Sequence, residues 1–344
     1  MAWRDVLGQE LPKKILQTHL RTGRVANAYL LAGPEGVGKR RLALEMAKAL
    51  NCAEGGIEPC ERCSTCAQIQ RGTHPDVHVM SPGGASDQIK IDEVRHLIGR
   101  LALRPFNARV QVALLDGAER LTEEAANSLL KALEEPSARA RFLLTTSQPS
   151  HCLPTIVSRC QLIRCEPLPH EVVARILVEG HGCDPAVAGA VARLAQGSAA
   201  AAVALAGRWA AYQETISRFA SSKPSAWVEQ PLPETREDVT QLLEGMMGWL
   251  RDLAVTAVAD PGGIAHSAHV DALTRQAQAV DVDRCLETAL ELVALRESVK
   301  EQFVSPKLVA SLARERWLDL IQGAGGGRRG AGETSISAFP TPLH

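Results

Sequence analysis

Short apolar runs alternate with longer segments in which apolar residues recur at three- and four-residue steps through the first half of the chain. The runs have the length of buried strands, and the longer segments are typical of amphipathic helices. The runs are residues 28–32, 77–80, 110–115 and 141–146, and the first three are followed by helical patterns at 42–50, 91–103 and 122–136. Strands that alternate with helices in this way predict an α/β fold with a parallel sheet.

After residue 169 the pattern becomes helical throughout. An alanine-rich segment, broken by turn-forming residues at 180–184 and by Gly197, predicts a small lid of three helices. We therefore expect the α/β core to span residues 1–168 and the lid to span residues 169–207.

The last third of the chain predicts an all-α domain over residues 208–321. Following a polar, proline-containing stretch, apolar residues recur at helical spacing at about 236–257, 267–279 and 281–321. Residues 322–344 are rich in glycine and poor in apolar residues, so we expect them to be a disordered tail.

The first strand run leads directly into a glycine-rich loop and then into a helix. The loop has the spacing G-x-x-x-x-G-K and contains Gly33, Gly36, Gly38 and Lys39. Glycines let backbone N–H groups close around phosphate oxygens, while the helix N-terminus and the lysine add positive charge. This P-loop pattern predicts a nucleotide phosphate site. The alternative is a glycine-rich turn that only packs the helix on the sheet.

Two positions correspond to the residues that bind Mg²⁺ in P-loop proteins. The loop normally ends in Ser or Thr, whose hydroxyl ligates the metal, but here Arg40 follows Lys39. The run 110–115 ends in Asp116, which fits a carboxylate placed at the carboxyl edge of the sheet to hold Mg²⁺ through water. A bulky cation at the hydroxyl position predicts a loop that keeps its shape without hydrolysing ATP, and whether it binds nucleotide stays open.

Four cysteines lie close together after the P-loop helix. Their spacing is C-x₇-C-x₂-C-x₂-C, and they are Cys52, Cys60, Cys63 and Cys66. Tetrahedral Zn²⁺ takes four soft ligands, and C-x₂-C turns bring pairs of thiolates to that geometry, so the pattern predicts a structural zinc site. A redox pair and unliganded thiols are the alternatives. Since the cysteines form a complete set, we expect no functional role for His74 or His78.

Composition limits the functions that remain. Among 344 residues, 38 Lys and Arg stand against 39 Asp and Glu, so any contact with nucleic acid must be local. Aromatic residues make up 3%, which disfavours stacking platforms for single strands. The start of the chain lacks the apolar core of a signal peptide, no apolar run is long enough to span a membrane, and nine cysteines suit a reducing compartment. We therefore expect a cytoplasmic protein.

Several motifs together resemble those of the bacterial clamp-loader AAA+ family. They are LLKALEEP at 129–136, FLLTT at 142–146 and SRC at 158–160, downstream of GPEGVGK and the four-cysteine segment. Residues 6–9 are also similar to the N-terminal "VGQ" box of AAA+ ATPases. The resemblance covers about residues 5–200 by motif, and it implies an AAA+ core, a helical lid and a helical collar that holds a ring of subunits together.

The resemblance implies roles for individual residues. Arg159 of the SRC motif corresponds to an arginine finger that reaches the nucleotide site of a neighbouring subunit, and Thr146 matches a sensor position. Gly117 stands where a working AAA+ ATPase has the glutamate that polarises water, and Ala200 replaces a second sensor arginine. Glu119 is not taken as a substitute base. A local salt bridge of Arg159, for example with Glu166, is the alternative to the finger.

These departures imply a subunit that does not hydrolyse ATP itself. The family pattern implies partners in a five-subunit assembly: motor ATPases (gamma and tau), a delta subunit, and through the assembly a sliding clamp and primed DNA. An active motor ATPase, a stand-alone P-loop enzyme such as a small-molecule kinase, and a nucleotide-independent scaffold are the alternatives.

Overall fold

A computed structural model describes residues 3–83, 87–221, 231–259, 263–299 and 304–323. The chain forms two units, residues 1–207 and residues 208–344.

A parallel sheet is the centre of the first unit. Its strands are β1 (Ala28–Ala32), β2 (Val77–Met80), β3 (Gln111–Asp116), β4 (Ala140–Thr146) and β5 (Gln161–Arg164). They lie in the order β2-β3-β4-β1-β5, and every neighbouring pair is parallel. Because the carboxyl ends of parallel strands share one edge, the loops that follow β1, β3 and β4 meet there. The predicted α/β fold is confirmed.

Helices cover both faces of this sheet. They are α1 (Glu10–Thr22), α2 (Lys39–Asn51), α3 (Ser64–Arg71), α4 (Ile91–Leu101), α5 (Glu123–Glu134) and α6 (Pro154–Arg159). Successive side chains of a strand point to opposite faces. Tyr29 and Leu31 of β1 pack in one apolar layer with α2, whereas Ala28 and Leu30 pack in the other with α4 and α5. Each fully buried leucine in these layers contributes roughly 1.5–3 kcal/mol.

A lid of three short helices completes the first unit. These are α7 (His170–His181), α8 (Pro185–Leu194) and α9 (Ala199–Gly207). The lid is joined to the P-loop because the N–H of Ala199 donates to the carbonyl of Gly36 at 3.0 Å. A Cβ on Gly36 would come 2.2 Å from Ser198 Oγ, so this close approach requires glycine.

The second unit is helical over its described residues. It contains α10 (Trp209–Ala220), α11 (Arg236–Val258), α12 (Val270–Ala277), α13 (Val282–Val299) and α14 (Pro306–Gly323). A buried polar group stabilises its core: Asp252 on α11 accepts from the N–H groups of Ala265 and His266 and from His266 Nδ1, at 2.8–2.9 Å. His266 Nε2 lies 3.1 Å from the hydroxyl of Tyr212.

The structure revises three details of this predicted helical domain. Helix α10 was not predicted, and the range 281–321 contains two helices rather than a single pattern. Helix α14 ends at Gly323, two residues into the predicted tail. The rest of that tail, residues 324–344, lies outside the described residues.

Candidate nucleotide site and cysteine cluster

The predicted phosphate loop lies between β1 and α2 at the carboxyl edge of the sheet. Gly36 and Gly38 have φ of 76° and 101°, which glycine adopts without strain, and α2 begins at Lys39. The Lys39 ammonium donates to the carbonyls of Gly33 (2.7 Å) and Pro34 (2.6 Å) and is buried. Burial lowers the pKa of Lys39, although neighbouring acidic groups oppose this change. The loop therefore has the geometry of a P-loop.

Arg40 contacts the carboxylate that was expected to hold a metal ion. Its Nε lies 3.5 Å from Asp116 Oδ2. The other oxygen of Asp116 accepts a hydrogen bond from Thr145 Oγ1 at 2.6 Å. Both carboxylate oxygens are thus engaged, and a guanidinium cannot ligate a cation. These residues do not fit Mg²⁺ in the arrangement that a P-loop ATPase uses.

The position after Asp116 cannot readily accept the missing glutamate. Gly117 has φ of 85°, and a Cβ on it would come 3.3 Å from Pro82 Cγ, so another residue would be strained there. Its N–H donates to Thr145 Oγ1 at 3.1 Å. A glutamate at this position would therefore require a different local backbone conformation.

Glu119, two residues further along, is held through one of its carboxylate oxygens. Its Oε1 accepts from the N–H of Ser147 at 2.9 Å and from the Ser147 hydroxyl at 2.5 Å. Burial alone would raise the pKa of Glu119, but these hydrogen bonds outweigh burial and lower it. A carboxylate that is held and weakly basic in this way is a poor general base.

Residues of the P-loop, of β3 and of the lid line a half-open cavity of about 520 Å³. Its lining includes Glu35, Gly36, Gly38, Lys39, Arg40, Arg41, Asp116 and Ala200. Ala200, where the second sensor arginine would stand, contributes only a methyl group to this wall. Thr146 does not line the cavity: it is fully buried, and its Oγ1 accepts from the N–H of Gln148 at 3.1 Å. The sensor role predicted for Thr146 stays a prediction.

A buried ion pair behind the P-loop was not predicted from the sequence. Glu45 and Lys48 of α2 are 1% and 0% exposed, and Lys48 Nζ donates to Glu45 Oε1 at 2.9 Å. Lys48 also pairs with Glu61 at 3.0 Å, next to the cysteine cluster. Burial raises the pKa of Glu45 to about 7 despite the opposing effect of Lys48. This buried pair could hardly be predicted from the sequence, because charged residues at i and i+3 of a helix usually lie on its exposed face.

The four cysteines converge as predicted. The Sγ atoms of Cys52, Cys60, Cys63 and Cys66 all lie within 4.8 Å of one another, and this is the one group of potential metal ligands found among the described residues. Backbone N–H groups of Cys60, Cys63 and Cys66 point at the preceding sulfur atoms at 3.3–3.4 Å. N–H groups aimed at sulfur stabilise thiolates, so this donor set fits a tetrahedral soft metal ion.

Arg159 lies at the end of α6, away from the residues that line this cavity. Its Nε donates to Glu134 Oε1 at 2.8 Å, Nη2 contacts the same oxygen, and Nη1 donates to the carbonyl of Thr155 at 2.9 Å. Arg159 therefore does form a local ion pair, which is the alternative to the finger role, but it forms this pair with Glu134 and not with Glu166. The backbone of Glu166 is instead bound by the side chain of Gln9.

Residues 8–169 match a known protein family. A family model described as "DNA polymerase III, delta subunit" matches residues 8–169. The delta-prime subunits of DNA polymerase III from Bacillus subtilis and Pseudomonas aeruginosa are 39% and 45% identical, over 48% and 42% of this chain. Residues 8–169 are therefore similar to the DNA polymerase III clamp-loader subunits. The predicted resemblance is confirmed.

The match to these clamp-loader relatives is partial. The chain spans about half the length of the curated relatives it matches: 50% of the Bacillus subtilis protein and 44% of the Pseudomonas aeruginosa protein. The tau subunit of Escherichia coli is 35% identical over 58% of this chain and 32% of its own length. Among solved structures, a gamma subunit-related protein from Thermotoga maritima aligns over 88% of this chain and 99% of its own, with 18% identity and a TM-score of 0.43.

The length and hydropathy of the helices decide whether any of them could cross a membrane. Within the described ranges, none is both long enough and apolar enough to cross a bilayer.

Proposed function

We propose that the chain acts as a delta-prime subunit of the DNA polymerase III clamp loader. In this role it hydrolyses no ATP itself and supplies Arg159 to the nucleotide site of a neighbouring motor subunit. The ion pair between Arg40 and Asp116 carries the proposal, because it fills the place where a hydrolysing site would bind Mg²⁺.

The catalytic carboxylate is missing from the same site. Gly117 offers no side chain to polarise water, and the nearest acid on that loop, Glu119, is held by Ser147. A phosphoryl transfer site needs both the metal and an oriented nucleophile. With neither in place, the contribution that we propose for the chain is made to ATP hydrolysis on another subunit.

Arg159 has the properties that such a role requires. Its side chain is one-third exposed at the end of α6, so a partner can reach it. The guanidinium has five N–H donors, and its contacts with Glu134, Thr155 and the Ser158 hydroxyl leave one of them available for an anion. A planar guanidinium stabilises charge that develops on a transferred phosphoryl group.

The proposal also covers the cysteine cluster, the partner subunits and the cellular location. The cysteine cluster holds a structural Zn²⁺ that fixes the segment between α2 and α3. The partners are the gamma and tau motor subunits and the delta subunit, and the sliding clamp and primed DNA are reached through the assembly. The protein works in the cytoplasm, as part of a hetero-oligomer.

The experiment is ATP turnover by the reconstituted clamp loader in the presence of clamp and primed DNA. Replacing the native chain by Arg159→Ala should reduce turnover at the one site it serves by about 10³-fold, diluted by the remaining sites of the ring. The matched control is Arg175→Ala, which removes another exposed arginine that is paired with a glutamate. Unchanged turnover with Arg159→Ala in an intact assembly would refute the role.

A further inference from the structure

We propose that Arg40 replaces the divalent cation in this P-loop, so that the cavity binds the polyphosphate of a nucleotide without Mg²⁺. This goes beyond the role proposed for Arg159 and does not depend on it, because it concerns the chain's own P-loop. Three features of the described residues support it: the donors of the loop, the engagement of Asp116, and an unpartnered polar atom in the cavity wall.

The loop presents donors that the fold itself leaves unused. The first hydrogen bond within α2 runs from the N–H of Leu42 to the carbonyl of Gly38 at 3.0 Å. The N–H groups of Lys39 and Arg40 therefore have no partner inside the helix. They lie at the N-terminus of a helix of 13 residues, where the dipole favours an anion. Lys39 adds its charge at the same point.

The guanidinium of Arg40 is held where it can also contact phosphate. Its Nε lies 3.5 Å from Asp116 Oδ2, and the side chain is 56% exposed in the cavity wall. The two terminal nitrogens remain for a phosphate group, which arginine binds through two parallel hydrogen bonds. Asp116, which would otherwise repel a polyphosphate or demand a metal ion, is paired with this guanidinium and accepts a hydrogen bond from Thr145.

A second residue points independently to a ligand in this cavity. Glu45 lines the cavity and is 1% exposed, and its Oε2 has no hydrogen-bond partner among the described residues. A buried polar atom without a partner costs about 1–3 kcal/mol, so it normally has one in the working state. Because burial raises the pKa of Glu45 to about 7, the carboxyl is partly protonated near neutral pH and can offer an O–H donor to a phosphate oxygen.

The test measures binding of ATP to the isolated full chain by calorimetry, once in excess EDTA and once in excess Mg²⁺, and the zinc content of the chain is measured after both so that the cysteine cluster is known to be unchanged. The proposal predicts saturable binding in EDTA, with a Kd within about two-fold of that in Mg²⁺. Arg40→Ser removes the guanidinium, restores a metal-ligating hydroxyl and frees Asp116. It should weaken binding in EDTA by about ten-fold or more and make binding depend on Mg²⁺.

The matched control is Arg24→Ser, an exposed arginine before β1 at the opposite edge of the sheet, which should bind ATP as the native chain does. If Arg40→Ser does not fold, the native chain still decides the matter, because ATP should raise its melting temperature equally in EDTA and in Mg²⁺. Absence of binding, binding only with Mg²⁺, or binding in EDTA that Arg40→Ser leaves unchanged would overturn the proposal. None of these results bears on the role proposed for Arg159, because that role is tested only by ATP turnover of the assembled clamp loader.

Discussion

Glu134 on α5 holds the guanidinium of Arg159 on α6, with 2.8 Å between Glu134 Oε1 and Arg159 Nε. The carboxylate thus fixes the direction of a long side chain that the proposed function needs at a subunit boundary. Fixing it in advance reduces the entropy that has to be lost when the finger engages a phosphate. Glu134 is therefore a positioning residue in this account.

This relationship gives the first prediction. Glu134→Gln keeps the size of the side chain but removes its charge, so Arg159 is less well held. In the reconstituted clamp loader we expect kcat at the affected site to fall by about ten-fold, less than with Arg159→Ala, while KM for ATP changes little. Glu135→Gln, in which the neighbouring exposed acid is changed, serves as the control. Equal effects of the two substitutions would contradict a positioning role.

The second prediction concerns the cysteine cluster. Native protein purified under reducing, chelator-free conditions should contain about one equivalent of zinc, measured by elemental analysis. Cys60→Ser removes one of four ligands and should lower the metal content to about half an equivalent or less, and the melting temperature by about 5 °C or more. Cys183→Ser, a half-buried cysteine of the lid outside the cluster, should change neither. Full metal content in Cys60→Ser would rule out the four-cysteine site.

The third prediction is a pH dependence caused by Glu45. Its pKa is about 7 in the folded chain against an ordinary value of 4.5, so between these values the folded state binds more protons than the unfolded state. Stability is therefore predicted to fall as pH rises through this window. Glu45→Gln cannot titrate, and by pH 8 its stability relative to the native chain should have risen by up to about 3 kcal/mol from its value at pH 5.

Urea unfolding at several pH values between 5 and 8 measures this difference. The control is Glu179→Gln, which changes an exposed glutamate of the lid. Parallel pH profiles for the native chain and Glu45→Gln would show that the carboxyl has an ordinary pKa.

Much of the fold could be predicted because its periodicities are local. The runs at 28–32 and 77–80 match β1 and β2 residue for residue. The spacing of the four cysteines also predicted the cluster that the structure contains. Strand β5 was missed because only Ile163 of its four residues is buried, which leaves almost no apolar signal. Helix α10 could have been found, since its buried residues Tyr212, Ile216 and Phe219 recur at helical spacing.

The site could be predicted only in part. The sequence showed that Arg40 replaces a hydroxyl and that Asp116 ends a strand, but their ion pair joins positions 76 residues apart and depends on strand order. The ion pair of Arg159 also joins distant positions. Glu166, which is close in sequence, was the acid named as its alternative partner, but α5 packs against α6 and brings Glu134 to Arg159 instead. Contacts between distant elements leave no periodic signal in a single sequence.

The central claim is that this P-loop hydrolyses no ATP, and the most direct measurement is phosphate release from ATP by the isolated chain in the presence of Mg²⁺. The account predicts that the native chain releases no more phosphate than Lys39→Ala, because Arg40 fills the metal position and Gly117 offers no carboxylate. Turnover that depends on Mg²⁺ and disappears in Lys39→Ala would contradict it, since it would place a working catalytic site in this chain.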